Sequence, residues 1–146
     1  MSSLVASPSS VSCPECGAPL VSGMNCWEML GAIIAWEGYD PALAAEHFLT
    51  VASYNLQHPA QFTDETLGQL KEGFIEHLDH GVPVHVLRKR ASRIYEGKKR
   101  VLKPEAERHP ELRRWPLTIA SVYLPDQPEG AAERVRIWAT SIRKEL

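Results

Sequence analysis

Lysine and arginine are absent from the first seventy residues of this 146-residue chain, although seven acidic side chains lie there. An anion-binding face would therefore have to come from elsewhere in the sequence. No apolar run approaches the roughly 18 residues of a membrane span. Cysteines are few and odd in number, three in all, which is a poor disulfide framework and a good metal-ligand set in a reducing compartment. The expected location is cytoplasmic, with no membrane partner. Residues 1–12 are Ser-rich and lack the basic start of a signal peptide, so they read as a disordered leader before a single domain at 13–146. A Gly-rich phosphate loop, H-E-x-x-H and G-x-S-x-G are all missing, and with them the commonest readable catalytic motifs. Strand-like alternation is missing too. Hydrophobic content of 44% and charged content of 23% are globular values, and the fold class expected is all-α, a small helical bundle.

The helices are bounded by their own punctuation. Asn25 and Glu28 form an N-x-x-E capping box, so a helix is expected from about Cys26, with Trp27, Leu30, Ile33, Ile34 and Trp36 as its apolar set and Gly38 ending it. Asp40-Pro41 starts a second helix running to about Gln57, since His58 precedes Pro59 and is pushed out of the α region. The two form an antiparallel hairpin. Thr63 opens a third helix, carried by Leu67, Leu70, Phe74, Ile75 and Leu78 and capped by Gly81. Pro83 opens a fourth, with Val84, Leu87, Ala91, Ile94 and Tyr95 on one face, Lys89, Arg90 and Arg93 opposite, and Gly97 as its stop. Residues 98–117 read as a long ordered loop or short turns, Thr118 as the cap of a short helix to Tyr123. A last helix over about 129–143 buries Ala132, Val135, Trp138 and Ile142.

Cys13-Pro14-Glu15-Cys16-Gly17 has the form of a zinc knuckle, a tight turn that aims two thiolates at one point. Zn2+ takes four tetrahedral sulfur or nitrogen ligands, and structural sites often combine three Cys with one His. Cys26 supplies a third thiolate, at a helix N-terminus whose dipole favours the anion. His47 and His58 compete for the fourth place. They stand eleven residues apart in the second helix segment, roughly 16 Å along an axis, so one ion cannot hold both. In a hairpin turning near Gly38 to Asp40, Cys26 lies beside Tyr54 to His58, whereas His47 lies opposite Ile33. The expected metal set is Cys13, Cys16, Cys26 and His58. Three buried thiols without metal, or a CxxC redox pair, are the rival readings, and the second wants a βαβ setting that the sequence does not offer.

With the knuckle before it, the stretch His47-Phe48-Leu49-Thr50-Val51-Ala52-Ser53-Tyr54-Asn55-Leu56-Gln57-His58-Pro59 resembles a bacterial family known only as domain of unknown function 5946. The likeness covers roughly residues 13–62, through the knuckle, the third Cys opening a helix and the Y-x-L-Q-H-P ending at Pro59. It implies a small helical protein with a metal site. It implies no activity, substrate or partner.

Other groups invite weighing. His47, Val51, Tyr54 and His58 share a helical face and form either a polar seam in a pocket, with Glu37 or Glu46 as acid or base, or satisfied groups at the hairpin interface. Glu76, His77, Asp79 and His80 form either a second metal site or a solvated helix end. Between residues 88 and 114 eleven basic side chains face four acidic ones, which is either an anion-binding face or a counterweight to the acidic half. The leading function is a zinc-stabilised helical module, zinc structural, binding a protein or an anionic partner. The alternatives are a hydrolase-like zinc metalloenzyme and a nucleic-acid module using the 88–114 segment. Nucleic acid is the less favoured partner, because no recognition motif accompanies the charge.

Overall fold

The computed structural model describes residues 12–94 and 100–146. The expected leader lies outside the described residues apart from Ser12, as do Tyr95, Gly97, Lys98 and Lys99. The described residues form six α-helices and no sheet: α1 (Cys26–Trp36), α2 (Pro41–Ala45), α3 (His47–Gln57), α4 (Asp64–His80), α5 (Val84–Ile94) and α6 (Ala131–Lys144). None of them is long and apolar enough to cross a membrane.

Local chemistry sets most of these boundaries. The Asn25 carboxamide accepts from the Glu28 amide at 2.9 Å and the Glu28 carboxylate accepts from the Asn25 amide at 3.0 Å, the reciprocal capping expected for α1. Asp40 caps α2 through the Leu43 amide, with Pro41 in the first turn. Thr63 caps α4, and Gly81 ends it in the left-handed conformation (φ 66°).

The expected helix over 41–57 is two helices. Glu46 leaves the helical conformation (φ −100°, ψ 15°) between α2 and α3. No glycine or proline calls for the break; it lets α2 and α3 each lie against α6, where the Glu46 carboxylate meets Arg136. A second correction concerns α1. Its buried side chains are Cys26, Met29, Leu30 and Ile33, while Trp27 and Ile34 face solvent, Trp27 at 69% exposure. Cys26 has to point inward, and that choice rotates Trp27, the next residue along, out of the core. In α5, Arg90 is part-exposed but not free. It pairs with Glu76 of α4, and of the expected stripe Leu87 is buried while Ala91 is exposed.

Helix α3 is the axis of the packing, contacting α1, α2, α4 and α6. On α6 the buried residues Ala131, Val135, Trp138, Ala139 and Ile142 form one helical stripe. Around it lie Met29, Ile33, Leu43, Leu49, Phe74, Ile119 and Val122. Trp36 stacks on Tyr123 at 5.4 Å, joining α1 to the turn before α6. One polar link crosses this core. Buried Gln57 accepts from the Trp138 indole N–H at 3.2 Å and donates to the Leu117 carbonyl at 2.8 Å.

The basic loop is also tied down. Thr63 N–H donates to the Val101 carbonyl and Lys103 N–H to the Gln61 carbonyl, about an isolated bridge between Phe62 and Leu102. Farther on, Arg113 N–H donates to the Glu15 carbonyl at 2.8 Å, and the Arg113 guanidinium stacks on Trp115. Past the Thr118–Ser121 capped turn, the Arg134 guanidinium reaches back to three carbonyls, those of Val122, Gln127 and Glu129, and pins the proline-rich connection to α6.

Gln57→Ala strips the buried Trp138 N–H and Leu117 carbonyl of their partner and leaves a cavity between α3 and α6. The expected cost is about 2–4 kcal/mol of folding stability, read from urea unfolding. A loss under about 1 kcal/mol would show that solvent or a neighbour replaces the amide.

Candidate metal centre

The knuckle is shaped by backbone before any ligand is considered. Cys13 N–H donates to the Ala18 carbonyl at 2.8 Å and Gly17 N–H to the Cys13 carbonyl at 2.9 Å, which curls Cys13 and Cys16 toward one side. Gly17 closes the curl at φ 79°, a conformation natural only to glycine. The chain then reverses over Val21, Ser22, Gly23 and Met24. Both central residues have positive φ, and Val21 and Met24 exchange both backbone hydrogen bonds. This reversal carries Cys26 back to the knuckle as the first residue of α1.

The fourth residue arrives from the far end of α3. Pro59 ends that helix, and His58 turns off its last residue with φ −128° and ψ 63°. The His58 Nδ1–H donates to the Tyr54 carbonyl at 2.7 Å, so the Nε2 lone pair faces the cysteines. The Tyr54 ring stacks on the imidazole at 4.1 Å. Glu15, inside the knuckle, accepts from the Ala60 N–H at 3.1 Å and ties the loop to the segment just after His58.

The ligand atoms of Cys13, Cys16, Cys26 and His58 all lie within 4.8 Å of one another. Cys16, Cys26 and His58 are buried and Cys13 is partly so. The Cys16 and Cys26 sulfurs are 3.6 Å apart, and Cys13 Sγ is 3.5 Å from His58 Nε2. A tetrahedron with zinc's usual bond lengths has S–S edges of about 3.8 Å and S–N edges of about 3.6 Å. A disulfide would bring two sulfurs to about 2.05 Å. The two edges at 3.5 and 3.6 Å are close to those values, and the cluster is compatible with a bound metal ion.

Their proton chemistry fits a metal as well. Hydrogen bonds from Cys16 and Cys26 draw the Cys13 thiol far below the usual range, while bonds to Cys13 and Cys16 push Cys26 far above it. Burial disfavours the His58 imidazolium, but the bonds to Cys13 and Cys16 outweigh it and raise the group to about 10. Burial, followed by the charge of the three cysteines, pushes the Tyr54 phenol up. Four groups sharing too few protons in one small space is a setting that a dication relieves.

The remaining candidates do not converge. His47 stands away from the cluster, its Nδ1 2.9 Å from both oxygens of the Glu37 carboxylate, so it is a satisfied group at the hairpin rather than a ligand. Its hydrogen-bond partner across the hairpin is Glu37, one turn beyond Ile33. Glu76 is paired with Arg90, Asp79 with Arg143, and His77 with the Val82 carbonyl, while His80 is exposed. No second group of three or more metal-ligating side chains comes together among the described residues. The acidic half is largely used locally: Glu28 and Asp40 cap helices, Glu15 and Glu37 are bonded as above, and Glu46 alone of these five reaches an arginine. What the residue pattern did not reveal is the reversal at Ser22-Gly23 and the return of Arg113 to Glu15. The Ser-Gly dipeptide was the available signal for the first; the second has none.

Over residues 11–146 the chain matches the family of unknown function DUF5946, and it belongs to that family. No curated protein and no solved structure matches it.

Gly17→Ala tests the shaping of the knuckle. The added Cβ meets only the Arg114 and Leu112 side chains, at ordinary contact distances of 3.5 Å. The expected loss of about 1–2 kcal/mol is therefore conformational, and hydrogen exchange should place it at residues 12–20, with α4 and α6 unaffected.

Proposed function

We propose that this member of a family without an assigned function is a Zn2+ protein, the ion held by Cys13, Cys16, Cys26 and His58, and that the ion's role is structural within a helical binding module. The observation that supports it is the convergence of four ligand atoms within 4.8 Å of one another, delivered by three separate stretches of chain. Between residues 12 and 25, only Cys16 and Ala18 are buried, so this segment has little apolar packing of its own. Zinc binding by small peptides is worth about 10–16 kcal/mol apparent, ample to order it. A bound ion would link the knuckle, the start of α1 and the end of α3.

The donor set speaks against the metalloenzyme alternative. Three thiolates and an imidazole fill the tetrahedron and leave the ion a weak Lewis acid, whereas a catalytic zinc keeps a position for water. The second alternative, nucleic acid on the basic segment, finds Arg90 and Arg113 already engaged with other groups of the chain.

Purified protein should contain about one zinc per chain by elemental analysis. Cys16→Ser and His58→Ala should lose it, and His47→Ala should keep it. The X-ray absorption edge should fit three sulfurs and one nitrogen. Loading should weaken as pH falls, because Cys26, whose thiol is pushed upward, has to give up its proton to the metal. A bound water in the spectrum, or loss of metal in His47→Ala, would overturn the assignment.

A further inference from the structure

Beside the cluster the surface opens into a cleft of about 300 Å³. Its lining includes Trp27, Tyr54, Pro19, Leu20 and Asn25, with Glu15 from the knuckle. Trp27 is 69% exposed and Leu20 41% exposed, an unusual cost for two large apolar groups on one rim. The rings form a ladder, Trp27 against Tyr54 at 6.2 Å and Tyr54 against His58 at 4.1 Å. The ladder therefore runs from solvent to the metal cluster.

Apart from His58, the charged lining of this cleft is acidic. Among the described residues no lysine or arginine lines it, Glu15 does, and Cys13, Cys26 and His58 of the cluster are part of its lining. A Zn2+ held by three thiolates and a neutral imidazole carries net negative charge, so loading leaves the sign unchanged. A cation over an indole face beside a carboxylate is attracted by both, and a guanidinium also stacks on the ring plane. The chain already makes this contact once, with the Arg113 guanidinium 3.8 Å from the centre of the Trp115 ring. Among the described residues no cation covers Trp27.

From these observations we propose that the Trp27–Tyr54 cleft is a docking site for an arginine side chain of a basic peptide segment in a partner protein. The volume is at the lower limit of ligand sites, about 300–1,000 Å³, which suits one long side chain and not a cofactor. The guanidinium lies on Trp27 and donates to the free oxygen of Glu15, and its methylenes rest on Leu20 and Pro19. The inference rests on the zinc reading in one respect: the ion holds the Pro19 and Leu20 wall against α1.

The test uses the full chain as purified, labelled with 15N, and the probe acetyl-Gly-Gly-Arg-Gly-Gly-amide. Its control is the same peptide with citrulline, which is close in shape but neutral. The arginine peptide should shift the Trp27 indole N–H and the Leu20 and Asn25 amides, and the citrulline peptide should bind about threefold to thirtyfold more weakly, the range of a cation–π contact. Trp27→Ala should abolish the shifts with zinc content unchanged, and Trp27→Phe should retain part of the affinity. Equal response to both peptides, shifts that survive Trp27→Ala, or no shift at saturating peptide would overturn the proposal. Concentration-dependent self-association lost in Trp27→Ala would assign the cleft to a second copy and overturn it as well. Zinc content, measured on the same samples, separates the two readings. One zinc with no peptide response removes the docking site alone, and no zinc with an intact arginine response removes the metal together with its part in holding the Pro19 and Leu20 wall.

Discussion

Cys26 begins one helix and His58 ends another, and the need for both to face a single point governs how the N-terminal half is arranged. Antiparallel helices bring a start beside an end, so the constraint selects the α1–α3 hairpin and its register. It also sets the rotation of α1. With Cys26 turned inward, Met29, Leu30 and Ile33 follow it into the core at helical spacing. Trp27 is left outside, and the exposed aromatic beside the cluster follows from the inward turn of Cys26.

Neighbouring residues at the end of α3 divide two tasks. Gln57 turns toward α6, where it bridges the Trp138 indole and the Leu117 carbonyl. His58 turns toward the knuckle, held by the Tyr54 carbonyl and the Tyr54 ring. A polar side chain buried without partners costs about 1–3 kcal/mol, so Gln57 gives the α3–α6 packing a specific orientation that apolar contacts alone would leave loose. That orientation in turn fixes where His58 emerges. The site therefore depends on the deep core through one residue of separation.

Much of this was legible in residue order because the determinants are local. Asn25 with Glu28, Asp40 with Pro41, Thr63 and Gly81 mark helix ends through side chains within a turn of the groups they satisfy. The choice of His58 over His47 needed only helix rise and a hairpin. Other features were hidden for equally physical reasons. The break at Glu46 has no breaker residue and follows from how α2 and α3 meet α6. The pairing of Phe62 with Leu102, and of Glu15 with Arg113, joins segments far apart in sequence through backbone groups that every residue carries. The exposure of Trp27 lies between these cases: counting helical positions from Cys26 as an inward-facing ligand leaves residue 27 off the buried face.

The distribution of charge acquires a meaning once these contacts are in place. Three of the seven acidic groups in the first seventy residues accept from backbone amides, at the starts of α1 and α2 and at Ala60. Lysine or arginine cannot do this work, since neither carries an acceptor. An absence of basic residues thus leaves those backbone amides their acceptors. The basic segment lies where it can brace that centre from outside, through the backbone of Arg113 at Glu15 and the side chains of Leu112 and Arg114 beside Gly17. The two halves of the chain are joined there by a backbone hydrogen bond and packing, with the Arg114 guanidinium beside Gly17 and the Arg113 guanidinium over the Trp115 ring.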